Sequence, residues 1–119
     1  MFVIIPNMKK FEKKSSFFQK KFFSSLINEA KQTSFGKEHD FTNIKTYNDY
    51  IKAVPVREYE AFEKYISRIK NGEENVLWKG KPIYFAKSSG TTSGVKYIPI
   101  TRFYRQSHQH SAKCITHVY

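Results

Sequence analysis

The sequence is poor in cysteine: Cys114 is the only one in 119 residues, so no disulfide can form within the chain, and a reducing compartment suits it. Long apolar runs are also missing. The opening MFVII is short and has no basic residue ahead of it, unlike a secretory leader. Nothing approaches the roughly 18 apolar residues of a membrane-spanning helix. A cytoplasmic location with no membrane partner is the expectation. Acidic residues are scarce, with 10 Asp and Glu against 21 Lys and Arg, giving a net charge of +11. Such an excess raises nucleic acid or an anionic membrane surface as partners. Its distribution turns that reading. Lys9, Lys10, Lys13, Lys14, Lys20 and Lys21, against Glu12, fall in one early segment, and no arginine-rich cluster suited to reading bases accompanies them. A solvated lysine face, with no nucleic-acid partner, is the plainer account. A small basic nucleic-acid- or membrane-binding module stands as the alternative.

What is present is a folding composition, 39% hydrophobic and 17% aromatic, long enough for one small domain. From 8 to 31, Phe11, Phe18, Phe22, Leu26 and Ala30 recur at sevens and fours, which is a helical stripe. Phe17, Phe23 and Ile27 widen it, so this helix is expected to dock on its own protein. Gly36 is placed to end it in a left-handed cap. TYND, Thr46 to Asp49, has capping-box spacing and starts a short helix that Pro55 stops. A third helix is expected over 57–70, with Tyr59, Phe62, Ile66 and Ile69 on one face and Asn71-Gly72 closing it. Val76-Leu77-Trp78 reads as a buried loop segment, and Trp78 as a packing anchor. IYFAK and KYIPI read as strands, Pro99 holding the second to an edge or to its own end. Thr101 is placed to cap a last helix. There is no internal repeat and no low-complexity linker.

The connection between the two strands is the chemically loaded part. A hairpin needs only about two to five loop residues. Here Ser88, Ser89, Thr91, Thr92 and Ser93 supply hydroxyls, and Gly90 and Gly94 let the backbone turn its amides toward one point. Lys96 adds a mobile positive charge. Amides, hydroxyls and a lysine together suit a polyphosphate. The pattern is neither the Walker loop, since three residues separate Gly90 from Gly94 and Val95 precedes Lys96, nor a dinucleotide fingerprint. A merely flexible Ser/Gly connection is the competing account.

FAKSSGTTSGVK, Phe85 to Lys96, resembles the phosphate-binding signature of the adenylate-forming superfamily, Ser/Thr-Ser-Gly-Thr-Thr/Ser-Gly/Ser-x-x-Lys, at every position from Ser88 to Lys96. The blocks TSFGKEHDF, YNDYIKAVPVREYE and YISRIKNGEENVLWKGKPIYFAKSSGTTSGVKYIPIT resemble, in order, the auxin-responsive promoter family of acyl acid–amido synthetases in its bacterial branch. Lys79 departs from that pattern, where proline is expected. The resemblance implies an α/β fragment: three to four helices plus a β-hairpin carrying the phosphate loop, the front part of the large amino-terminal domain of an adenylate-forming enzyme. The expected layout is one incomplete amino-terminal portion over 1–119, helical over 8–70, a hairpin over 83–100 and a helix over 102–119. It also implies that a carboxylic acid attacks the α-phosphate of ATP, with magnesium, to give an acyl-adenylate that an amine then takes up. Ser88, Ser89, Gly90, Thr91, Thr92, Ser93, Gly94 and Lys96 would then be the phosphate-contacting set, Thr91, Thr92 and Lys96 above all.

Two strands make no stable sheet alone, the last helix has no stop signal, and twenty aromatics crowd few elements. The expectation is the front piece of a longer protein, paired with the remainder of its own domain and inactive by itself. Other constellations are weaker. His108, His110, Cys114 and His117 share one helix but lack an acidic second shell for a metal. Glu58, Glu60 and Glu63 with Arg57, Lys64 and Arg68 read as a surface ion-pair lattice, Glu60 to Lys64 being the favourable spacing.

Overall fold

The computed structural model of the chain describes residues 15–89 and 94–116, the last three of these by backbone alone. The described residues form helices α1 (Ser15–Ala30), α2 (Ser34–Glu38), α3 (Tyr47–Ala53), α4 (Glu63–Lys70) and α5 (Arg102–Thr116) and one antiparallel hairpin, β1 (Tyr84–Ser88) and β2 (Lys96–Ile100). Two 3-10 turns, Phe41–Asn43 and Tyr59–Phe62, precede α3 and α4. This is the expected α/β arrangement.

α1 is buried along only part of the expected stripe, at Ala30 and on the side where Phe23 and Ile27 widen it. Its buried residues are Ile27 and Ala30, with Phe23 packed against the core, whereas Phe18 and Phe22 remain exposed. The reason is angular. Residues 23, 27 and 30 share one face of a helix, and the 18–22–26 line lies about 100° around it. The neighbours α2 and the first 3-10 turn sit against the Ile27 side. Residues 8–14 of the expected helix lie outside the described residues.

Gly36 also has a different task from the expected one. It lies inside α2, where a Cβ would run into the carbonyl of Ala30. Its missing side chain lets α2 close on the end of α1. Thr33 fastens the same junction: its hydroxyl donates to the Ala30 carbonyl (2.7 Å) and accepts from the Gly36 amide (2.9 Å). The amides of Ser34 and Phe35 donate to the carbonyls of Asn75 (2.8 Å) and Val76 (2.9 Å). Three first-turn donors thereby find partners within a buried junction.

α3 starts as its sequence dictates. The Asp49 amide donates to Thr46 Oγ1 (3.2 Å) and the Asp49 carboxylate accepts from the Thr46 amide (2.8 Å). The helix expected over 57–70 opens instead as the 3-10 turn Tyr59–Phe62 before α4 proper, which Gly72 (φ +89°) closes. Tyr65 is its deepest residue, 0% exposed, and its hydroxyl reaches Glu38 (2.5 Å). The core joins Ile27, Ala30, Phe35, Phe41, Ile44, Tyr65, Ile69 and Val76. Val76 is buried as expected, and Leu77 and Trp78 pack against that core.

The expected lattice along the third helix is replaced by links to other elements. Lys64 pairs with Glu38 (3.0 Å), Arg68 grips Glu73 and the Ser34 hydroxyl (2.8 Å), and Arg57 donates to His39 Nε2 (2.8 Å). His39 Nδ1 faces the Phe35 carbonyl (2.9 Å), so both ring nitrogens are occupied. A partner delivered by the fold is held by more than one contact, which a neighbour on the same exposed helix cannot match.

The molecule is drawn out. Its radius of gyration is 17.2 Å, against roughly 13–14 Å for a compact domain of this length. α5 is the outlying arm, capped by Thr101, whose hydroxyl accepts from the Tyr104 amide (3.1 Å). Its Phe103 stacks near Phe22 (6.5 Å) and meets Trp78 (5.8 Å).

Candidate functional site

The hairpin sets the geometry. β1 and β2 pair Tyr84 with Ile100, Phe85 with Pro99, Ala86 with Ile98, Lys87 with Tyr97 and Ser88 with Lys96. Directly opposed residues in an antiparallel pair send their side chains to one face, so Ser88 and Lys96 stand together where the strands open into the connection. Ser88 is half-buried and Ser89 beyond it is exposed. Gly94 returns the chain at φ +81°, a left-handed conformation that a side chain would strain. Nothing lies within 4 Å of where its Cβ would be, so the glycine serves conformation here, unlike Gly36. Gly90, Thr91, Thr92 and Ser93 lie outside the described residues.

Lys96 is the charged member. Its side chain is 31% exposed. The ammonium stands 4.0 Å from a Glu60 carboxylate oxygen, at the outer reach of an ion pair, and 5.3 Å from the centre of the Tyr59 ring. The Tyr59 hydroxyl accepts from the Tyr97 amide (2.7 Å) and lies 3.2 Å from the Tyr97 carbonyl, to which it donates. Lys70 of α4 sits 4.0 Å above the Tyr97 ring, and Phe85 meets that ring edge-on at 6.5 Å. The helical segment 59–70 therefore holds β2 by its backbone, by an aromatic side chain and by the lysine at its start.

Sequence reasoning placed Tyr59 on a helix face beside Phe62 and gave Glu60 to Lys64, so it missed both residues here. No spacing rule links positions 36 or more apart. Only the open edge implied by Pro99 hinted that something must meet the outward-facing groups of β2.

A family model described as the GH3 family N-terminal domain matches residues 4–119. The chain belongs to the GH3 family. This is the family of auxin-responsive acyl acid amido synthetases that its ordered blocks resemble. Comparisons of this GH3 chain with curated proteins and with solved structures found no match.

Other features of the GH3 chain bear on chemistry less directly. His108 stacks in parallel with Tyr104 at 6.1 Å, a contact along one helix face. Among the described residues, no set of three or more His, Cys, Asp or Glu side chains stands close enough to share a metal ion. The Cys114 side chain and His117 lie outside that description. No described helix is long and apolar enough to cross a membrane.

Proposed function

We propose that the connection from Ser88 to Lys96 binds the phosphates of ATP, within a reaction that joins a carboxylic acid to an amine by way of an acyl-adenylate. Membership of the GH3 family supports the reaction class. The single observation that supports the site is the register pairing Ser88 with Lys96, which sets the two residues opposite each other on one face of the hairpin, next to Gly94. These groups fit a triphosphate by charge and by donor type: hydroxyls donate, the ammonium neutralises, and Gly94 leaves room for close backbone approach. Their task is to hold the β- and γ-phosphates and offset charge on departing pyrophosphate, which is positioning and electrostatics, with no covalent part. Thr91 and Thr92 extend the same donor set.

Magnesium would accompany the nucleotide in this reading and offset charge on its phosphates. Among the described residues no three His, Cys, Asp or Glu side chains stand close enough to hold it by themselves. The acid and the amine belong to the reaction, together with the remainder of the domain, in a cytoplasmic setting.

Calorimetric titration with ATP, comparing the chain with its Lys96→Ala variant, tests the reading. Binding that weakens about tenfold or more in the variant supports it, since charge-assisted contacts are each worth roughly 1.5–3 kcal/mol. Equal affinity in the two proteins sinks it. Retention on DNA that falls steeply with salt and vanishes when residues 1–21 are removed would favour a basic binding module instead.

A further inference from the structure

We propose that Tyr59 and Glu60 form a clasp that positions Lys96 and holds it on a carboxylate until a phosphate displaces that carboxylate, a role that rests on the phosphate-binding reading of the loop. The clasp has a backbone half and a charge half. Pro99 has no N–H, so it cannot donate to the ladder, and its edge of β2 faces away from β1. Tyr97, two residues earlier, shares that edge by strand alternation, leaving its N–H and C=O pointing outward. Both are taken by one atom, the Tyr59 hydroxyl, at 2.7 and 3.2 Å. A tyrosine hydroxyl can donate and accept together, so it answers the edge as a neighbouring strand would. The contact is adjacent to Lys96 in sequence and fixes the backbone from which its side chain springs.

The charge half follows from the same turn. Lys96 lies over the Tyr59 ring (5.3 Å) and 4.0 Å from Glu60, the next residue. One 3-10 turn therefore supplies a hydrogen-bonding hydroxyl, an aromatic face and a carboxylate to consecutive residues of β2. The carboxylate is a poor permanent partner. Glu60 is half-exposed at 53%, and the separation is long, so the pair is weak and exchangeable. A triphosphate brings more negative charge to the same ammonium and competes successfully. Without ligand, Glu60 keeps the partly exposed Lys96 side chain near the hairpin. With ligand, Glu60 becomes a nearby like charge that opposes binding. Tyr59 and Glu60 are thus positioning residues, acting through Lys96.

The test uses the whole chain with inorganic tripolyphosphate as the probe, alongside amide exchange of Tyr97 followed by NMR. Tyr59→Phe removes only the hydroxyl and should speed exchange of the Tyr97 amide about tenfold, the loss of one hydrogen bond at an otherwise open edge. Glu60→Gln should tighten tripolyphosphate binding about twofold to fivefold, the range expected for releasing an exposed ion pair. Unchanged Tyr97 exchange in Tyr59→Phe overturns the backbone half. If the parent binds tripolyphosphate and Lys96→Ala does not, unchanged or weaker binding by Glu60→Gln overturns the charge half and leaves the phosphate site standing. If the parent and Lys96→Ala bind alike, or neither binds, the phosphate reading falls and the displacement role falls with it. Tyr97 exchange still decides the clasp in that case.

Discussion

A Cβ on Gly36 would fall inside the carbonyl oxygen of Ala30 and would stand 3.0 Å from both the Ala30 carbonyl carbon and the Lys31 Cα. All three obstacles are backbone, so none can rotate away. α1 and α2 meet there because one residue has no side chain. Thr33, 1% exposed, spans the same contact with two hydrogen bonds.

Gly36→Ala sets two effects against each other. Helix propensity alone favours alanine by about 1 kcal/mol. Overpacking against immovable atoms costs about 1–3 kcal/mol, and more where the backbone must shift. We expect steric crowding to win, with a net loss of about 1–2 kcal/mol in urea unfolding followed by Trp78 fluorescence. A variant more stable than the parent would show that the two helices can part at little cost.

The faces of α1 should differ sharply in mutational cost. Ile27→Ala opens a void in the core and is expected to lose about 2–4 kcal/mol. Phe22 is 55% exposed and stacks on Phe103, so Phe22→Ser should cost no more than about 1 kcal/mol. Thermal melts of the two variants rank them. Equal losses would mean that the Phe18–Phe22 side carries the docking as much as the Phe23–Ile27–Ala30 face does.

Glu38 makes stability depend on acid. The Tyr65 hydroxyl, foremost, and Lys64 hold its carboxyl below the ordinary glutamate value of 4.5. A carboxyl depressed by folding stabilises the native state fully above its unfolded value, and that contribution disappears as pH falls through the folded one. Arg68 acts on Glu73 in the same direction. Urea midpoints should therefore be flat near neutrality and fall below the ordinary glutamate range. Glu38→Gln should shallow that fall. An identical acid limb in the variant would remove Glu38 from the explanation.

Much of the local structure was readable because it depends on neighbours in sequence. The Thr46–Asp49 box and the Thr101 cap rest on side chains within three residues of the groups they serve, and the stop at Gly72 on its own backbone freedom. The candidate loop was legible for the same reason, as a run of hydroxyls and glycines closed by Lys96. The errors have a common source. Periodicity shows that α1 has an apolar stripe, but seven apolar positions offer more than one, and the neighbouring α2 and first 3-10 turn selected the face of Ile27. Glycine after a helix suggests a cap, yet at Gly36 the deciding neighbour was another backbone.

The order of residues thus determined where the helices after Thr46 and Thr101 start, where strands lie and which segment is rich in phosphate-compatible donors, since these follow from short-range hydrogen bonds and backbone preferences. Only the tertiary structure decided that Tyr65 reaches Glu38, that Arg57 meets His39, and that Tyr59 and Glu60 close on Tyr97 and Lys96. Those partners lie 18 to 38 residues apart. Pairings at that range are fixed by which apolar faces can be buried together, and a carboxylate or hydroxyl then binds whatever donor that burial brings within reach.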